Sequence, residues 1–160
     1  MSDRLLRLAD RIRSECQDLD RVVERAQEGW RRAERSTDQL YLDSVALNLH
    51  GFYAGLERMF ELIATTVDGQ MPTGEHWHQQ LLEQMASEIS GVRPAVISNA
   101  THQVLDEYRG FRHIVRNVYT FRFDPAKMQR LVENAPAAWA QVQAELLAFA
   151  SFVEQQADSN

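Results

Sequence analysis

The chain has 160 residues, 44% of them hydrophobic and 25% charged, with a formal net charge of −6 at pH 7. This length supports a core that folds without disulfides, and the single cysteine, Cys16, excludes an internal disulfide. A general, sequence-blind nucleic-acid binder is normally basic, so the charge argues against that class but leaves room for a local basic cleft. No apolar run reaches the roughly 20 residues of a membrane span, and the first residues lack an apolar signal core. We therefore expect a cytoplasmic protein with one domain over residues 1–160.

Apolar residues recur at three- and four-residue steps along the first half of the chain, which predicts helices. The first helix is expected from about Asp3 to Arg35, and a second from about Asp38 to Val67. Ser36, followed three residues later by Gln39, has the spacing of a capping box before the second helix. Residues 68–74 are predicted to form a loop, because they contain Asp, Pro and two Gly residues.

The second half of the chain predicts one short and two long helices. The short one covers about His76 to Ser90, and the next runs from Pro94 or Ser98 to Arg122. Asp124 followed by Pro125 is a strong helix start, from which the last helix extends to about Gln155. Residues 156–160 are expected to fray. The sequence thus predicts an all-α, up-and-down antiparallel bundle of four long helices plus one short helix.

A row of basic residues is the main candidate for a functional site. Arg109, Arg112 (or His113), Arg116 and Tyr119 fall on one stripe of the predicted helix, and Arg122 extends it. Like charges in a row repel each other unless an anion faces them. A phosphate group would fit, because the planar guanidinium fork matches its geometry.

The structural alternative is an internal ion pair. His50, Glu57 and Glu61 lie on a related face of the second helix, and either glutamate could pair with Arg112 or Arg116 across the bundle. Gly110, in the middle of the row, makes the helix about 1 kcal/mol less stable than alanine would. A close helix contact or space for a ligand would explain a glycine at this position.

Other patterns in the sequence are weaker candidates for a functional site. The two histidines of His76-Trp77-His78 point to different faces of a helix and make a poor metal pair. There is no cysteine cluster, no His-x-x-x-His motif and no glycine-rich phosphate loop. We therefore expect no metal and no cofactor.

Two segments resemble a known family. The run from Phe111 to Tyr119, closing with Phe123-Asp124, resembles the HepT-like branch of the HEPN superfamily. The run from Leu47 to Glu61 is similar to the matching helix of that branch. They lie within residues 47–124, about half of the chain.

The resemblance implies a small helical ribonuclease toxin that is usually dimeric. Such toxins are encoded beside a minimal nucleotidyltransferase that acts as antitoxin, and they cleave RNA without a metal. In the family an arginine steadies the phosphate and a histidine transfers the proton. The antitoxin can silence the toxin by adding AMP to a tyrosine close to the motif.

The family pattern places Arg116 and Asn117 at its Arg-polar pair, and Tyr119 is the nearest candidate for the modified tyrosine. The family histidine comes four to six residues after the arginine, whereas positions 120–122 here are Thr, Phe and Arg. His113 lies three residues upstream of Arg116 instead, still its neighbour on a helix.

The resulting site hypothesis gives each residue a role. His113 takes the proton of a ribose 2′-OH, and Arg112 or Arg116 stabilises the developing charge. Arg109 and Asn117 bind the substrate. Glu57, Glu61 and His50 support the site from the second helix.

Two other functions remain open at this point. The chain could be a non-catalytic bundle that binds a nucleotidyltransferase partner or its substrate. It could also be a structural dimer whose arginines pair with Glu57 and Glu61. Burial of the arginines against these glutamates would favour the structural interpretation, and an open cleft would favour binding or catalysis.

Overall fold

The computed structural model describes residues 2–119 and 122–160. Within them lie five α-helices: α1 (Ser2–Arg35), α2 (Leu40–Ile63), α3 (Trp77–Met85), α4 (Asn99–Asn117) and α5 (Pro125–Asp158). α2 continues into a π-helical turn, Ala64–Asp68, which ends at Gly69 in the left-handed conformation (φ 68°). Over these described residues there is no β-strand, only an isolated bridge between Ile89 and Arg93. The predicted all-α class is confirmed.

The two longest helices, α1 and α5, pack against each other in opposite directions. Near the start of α1, Ser2 Oγ donates a hydrogen bond to the carbonyl of Ala157 over 3.2 Å. Further along, Asp20 accepts a hydrogen bond from the indole N–H of Trp139 over 2.6 Å. Residues later in α1 therefore contact residues earlier in α5, so the two helices are antiparallel.

α2 lies against α1, also antiparallel, and approaches it closely at two glycines. Gly29 of α1 faces Val45, and Gly55 of α2 faces Leu19. A Cβ atom added at Gly55 would lie 2.8 Å from Leu19 Cδ2, a distance that real Cβ contacts do not show. The absence of a side chain at position 55 therefore permits this close approach.

α4 completes the long-helix packing against α2 and α5. Thr101 Oγ1 donates to Glu145 Oε1 over 3.0 Å, and Tyr108 Oη donates to the carbonyl of Leu131 over 2.7 Å. α4 is thus antiparallel to α5. The short α3 contacts α2 and α4. These pairings agree with the predicted up-and-down order.

Two predicted helix starts are confirmed by their caps. Ser98, not Pro94, precedes α4, and its hydroxyl accepts a hydrogen bond from the Thr101 amide. Asp124 caps α5 by accepting from the Ala126 amide, with Pro125 at the first helical position. Both caps satisfy amides that the first turn leaves unpaired.

The predicted capping box before α2 is wrong. The Ser36 hydroxyl accepts from the amide of Asp38 rather than that of Gln39. Asp38 in turn accepts from the amide of Leu40, where α2 begins. Two consecutive short-range turns therefore connect α1 to α2.

Three predicted boundaries differ from the structure. α3 ends at Met85 instead of Ser90, and α4 ends at Asn117 instead of Arg122. Thr120 and Phe121, which the prediction included in α4, lie outside the described residues. α5 extends to Asp158, three residues beyond the predicted end at Gln155.

A buried ion pair holds the irregular segment between α3 and α4. Arg93 and Asp68 have no exposed side-chain surface, and Arg93 Nη2 donates to Asp68 Oδ2 over 2.8 Å. Arg93 also donates to the carbonyls of Ser87 and Gln84. One guanidinium thus connects the end of α2, the end of α3 and the segment that follows.

One hydrophobic cluster includes buried residues from all five helices. Cys16 belongs to it, and burial, with smaller effects of Asp20 and Glu15, raises the pKa of its thiol to about 11. On α4, Val104 is 37% exposed, whereas its neighbour Leu105 is buried. None of the described helices is both long and apolar enough to cross a membrane.

Candidate active site

A polar cavity of about 250 Å³ lies beside the last turns of α4. Its lining residues are His78, Arg109, Arg112, His113, Arg116 and Asn117. Five of them belong to α4, where three- and four-residue steps bring them to neighbouring positions. His78 comes from α3. The structure therefore brings together five of the residues that the sequence proposed for the site.

The three arginines of the cavity differ in their surroundings. Arg109 Nε donates to Asp106 Oδ1 over 2.7 Å, within the same helix. The Arg112 side chain is only 16% exposed, and its nearest acid is Glu57, with Nη2 to Oε1 at 3.9 Å. Arg116 is exposed. The row therefore extends from a nearly buried guanidinium to one that solvent reaches.

Arg112 keeps unused hydrogen-bonding capacity. Its Nε is buried and has no hydrogen-bond partner among the described residues. The 3.9 Å separation from Glu57 is an ion-pair distance but too long for a hydrogen bond. A buried donor left unpaired costs about 1–3 kcal/mol. An anion in the cavity could recover part of this cost.

Glu57 forms a short hydrogen bond with His78 and not with Arg112. The carboxylate is almost fully buried, and its Oε2 lies 2.7 Å from Nδ1 of His78, which donates the hydrogen bond. The ring of Trp77 lies against that of His78, with centroids 3.6 Å apart. The histidine ring is therefore fixed from two directions at the cavity wall.

His113 and Asn117 form the exposed end of the cavity. Asn117 Nδ2 donates to the backbone carbonyl of His113 over 2.7 Å and lies 3.5 Å from its Nδ1. Both side chains are exposed. Asn117 is therefore bound mainly to the last turn of its own helix, and the His113 ring remains accessible to a substrate.

His50 and Glu61 do not line the cavity, but charged residues in and near the cavity shift the pKa values of both. Burial lowers the pKa of His50, and the positive charges of Arg112 and Arg116 lower it further, against the effect of Glu57. Burial raises the pKa of Glu61, and Glu57 adds to this, while His78 and Arg112 oppose it. The arginine row therefore disfavours a charged His50.

A family model for HepT-like proteins matches residues 44–153, which include α3, α4, most of α2 and α5, and every cavity residue. The chain belongs to the HepT-like family. No curated protein and no solved structure matches it significantly.

Tyr119 of this HepT-like protein does not lie on the arginine helix as predicted. α4 ends at Asn117, so Tyr119 lies beyond the helix and does not line the cavity. Its side chain is 73% exposed. The stripe predicted from Arg109 to Tyr119 is correct through Arg116 and wrong at its end.

The structural alternative applies only in part to this HepT-like protein. Arg112 is nearly buried near Glu57, as that alternative requires, but Glu57 hydrogen-bonds to His78 instead. Arg109 pairs with Asp106, and Arg116 is exposed. Internal pairing therefore does not account for the whole row.

Sequence reasoning missed His78. In sequence, His76-Trp77-His78 is only a poor metal pair, and position 78 has no sequence link to Glu57, 21 residues earlier. A weak signal was available, because a histidine on a short amphipathic helix can face the same groove as its neighbours. Among residues 2–119 and 122–160, no three His, Cys, Asp or Glu side chains are grouped as metal ligands.

Proposed function

We propose that this HepT-like protein is an endoribonuclease toxin that cleaves RNA without a metal. The observation that supports this most directly is the cavity with three arginines, in which Arg112 Nε is buried and unpaired. Such a site suits a phosphodiester, whose oxygens accept hydrogen bonds from guanidinium groups.

In the proposed reaction, the arginines hold the phosphate of an RNA linkage while His113 removes the proton of the adjacent 2′-OH. The 2′-oxygen attacks phosphorus, and the 5′-oxygen of the next nucleotide leaves. Arg112 and Arg116 stabilise the negative charge that builds on the phosphoryl oxygens. Arg109 and Asn117 contribute to substrate binding.

We further propose a nucleotidyltransferase as antitoxin, with Tyr119 as the residue that receives AMP. Tyr119 is highly exposed and follows α4 two residues after Asn117, which lines the cavity. A bulky anionic group at this position would compete with RNA for the arginine row, which would silence the toxin.

The active form is proposed to be a homodimer. The family resemblance supports this, and two leucines of α2, Leu40 and Leu47, are 70% and 69% exposed. They are seven residues apart and therefore lie on one face of the helix. Exposed leucines in such a pair suit burial against a second copy.

The test is induced expression in a bacterial host of the wild type and of His113→Ala and Arg116→Ala, with growth and RNA integrity measured. Arg130→Ala is the matched control, because Arg130 is an exposed arginine of α5 that pairs with Glu107 outside the cavity. We expect the wild type and the control to arrest growth and degrade RNA. The two cavity variants should be harmless while remaining folded.

A second candidate function is a non-catalytic bundle that binds a nucleotidyltransferase or its substrate. It is favoured by one observation: no histidine occupies positions 120–122, the family spacing after Arg116. If the wild type neither arrests growth nor degrades RNA, the toxin proposal fails. Retention of a nucleotidyltransferase by the wild type but not by Arg116→Ala would then support the binding function.

A further inference from the structure

His78 and Glu57 form a pair at the cavity that the proposed reaction has not used. Glu57 is 4% exposed, and its Oε2 accepts the hydrogen bond of His78 Nδ1 over 2.7 Å. The His78 side chain is 28% exposed and lines the cavity together with the arginines. A buried carboxylate thus holds an accessible imidazole beside the proposed phosphate site.

The hydrogen bond determines which ring nitrogen can react. Since Glu57 accepts at Nδ1, this atom carries a proton, and Nε2 is left to exchange a proton with a bound molecule. The neighbouring Trp77 ring, 3.6 Å away between centroids, restricts rotation of the imidazole. A fixed ring with one nitrogen engaged is the arrangement that proton-transferring histidines require.

We propose that His78 is the second proton-transferring residue of the cavity and that its Nε2 protonates the leaving 5′-oxygen. This inference rests on the proposed ribonuclease function. His113 alone would have to accept one proton and deliver another within the same step. Two histidines on different helices, α3 and α4, can perform both transfers at once.

The step balances as follows. The 2′-OH proton moves to the unprotonated ring nitrogen of His113 as the 2′-oxygen–phosphorus bond forms. The phosphorus–5′-oxygen bond breaks, and the 5′-oxygen takes the proton from Nε2 of the His78 imidazolium. The products are a 2′,3′-cyclic phosphate and a 5′-hydroxyl. Exchange with water restores both histidines.

His78 lies among charged groups of both signs. The groups from α2 and α4 that surround it are Glu57, Glu61, Arg109, Arg112, His113 and Arg116. Glu57 acts through His78 and is therefore a positioning residue.

The experiment compares purified wild type, His78→Ala and His113→Ala on an oligoribonucleotide that contains a linkage cut by the wild type. A second oligonucleotide carries sulfur in place of the bridging 5′-oxygen at that linkage. A thiolate leaves without protonation, so this substrate does not need a general acid. His76→Ala is the matched control, because His76 is an exposed histidine two residues away that does not line the cavity.

We expect His78→Ala to cut the oxygen linkage about 10²–10⁴-fold more slowly than the wild type. The sulfur linkage should be cut at nearly the wild-type rate. His113→Ala should be slow on both substrates, and His76→Ala should match the wild type. Glu57→Gln, with folding checked by circular dichroism, should show a smaller loss that sulfur also restores.

The outcomes separate the two proposals. Cleavage by His78→Ala at the wild-type rate on the oxygen linkage would overturn the role of His78 alone. An equal loss on both linkages would also overturn it, because His78 would then act in binding or folding. If the wild type cuts no RNA, the ribonuclease proposal itself fails, and this one with it.

Discussion

At the scale of single residues, the Arg93–Asp68 pair stands out because neither side chain reaches solvent. Two ionised groups in such a place are tolerated because each neutralises and hydrogen-bonds the other. Arg93 also donates to the carbonyls of Gln84, in α3, and of Ser87, in the irregular segment that follows.

We expect Asp68→Ala to lower the free energy of unfolding by about 3–5 kcal/mol, because it leaves the Arg93 charge buried without a partner. Urea unfolding followed by circular dichroism measures this. Glu107→Ala, which removes the exposed partner of Arg130, is the control and should cost less than about 1 kcal/mol. Equal losses for the two variants would contradict the importance of burial.

His50 should make the protein less stable in mild acid. Its pKa is lowered in the folded state by burial and by Arg112 and Arg116. Below about pH 6.5 the unfolded chain therefore binds more protons at this position than the folded chain. The free energy of unfolding consequently decreases as the pH is lowered. We expect His50→Gln to show a smaller drop in melting temperature between pH 7.5 and 5.5. The same change at the exposed His76 provides the comparison, and parallel curves for wild type and His50→Gln would refute the expectation.

At the scale of the helices, two glycines have opposite packing environments. Around Gly110 of α4, an added Cβ meets no atom of the described residues within 4 Å. Close helix packing, one of the two explanations offered by the sequence, is therefore wrong for Gly110. At Gly55 of α2 the same atom would lie against Leu19.

We expect Gly110→Ala to raise the free energy of unfolding by about 0.5–1 kcal/mol, because alanine favours the helix and meets no obstacle. Gly55→Ala should lower it by about 1–3 kcal/mol, because the α1–α2 contact is overpacked. Thermal and urea unfolding of the two variants measure both changes. A higher free energy of unfolding for both variants would contradict the expected overpacking at Gly55, because α1 and α2 would then move apart at little cost.

The sequence predicted the long helices well, and its failures have physical causes. α1 and α5 each carry an apolar stripe through 34 residues, a signal that few other structures produce. The end of α4 was misplaced because Val118 and Tyr119 continue the helical pattern after the helix has ended. The irregular segment after α3 is held by Arg93 bound to Asp68, a contact that no local pattern reveals.

For the site too, the sequence predicted what lies close along the chain and not what packing brings together. Arg109, Arg112, His113, Arg116 and Asn117 are close in sequence on one helix, so their spacing was enough to group them. Helix periodicity cannot show which residue of another helix faces them, because that depends on how α3 packs. His78 was therefore found only from the structure.

At the scale of the whole molecule, the exposed Leu40 and Leu47 determine the expected assembly. We expect the wild type to sediment as a dimer and Leu47→Glu to sediment as a monomer, because a buried unpaired carboxylate would oppose association. Analytical ultracentrifugation at micromolar concentration measures this.

Gln103→Glu introduces the same charge at an exposed position of α4 and serves as the control for the dimer. It should leave the sedimentation coefficient unchanged. A wild type that is monomeric, or a Leu47→Glu variant that remains dimeric, would exclude this face of α2 as the dimer interface.

The buried Cys16 makes the molecule convenient for spectroscopic labelling. It is the chain's single cysteine, and with a pKa of about 11 its thiol supplies little of the reactive thiolate at neutral pH. A cysteine introduced at exposed Gln103 would therefore react with a maleimide fluorophore while the native thiol stays unmodified. Such a dye on the cavity helix would test in real time whether RNA reaches the arginines, in a protein that needs no cysteine removed.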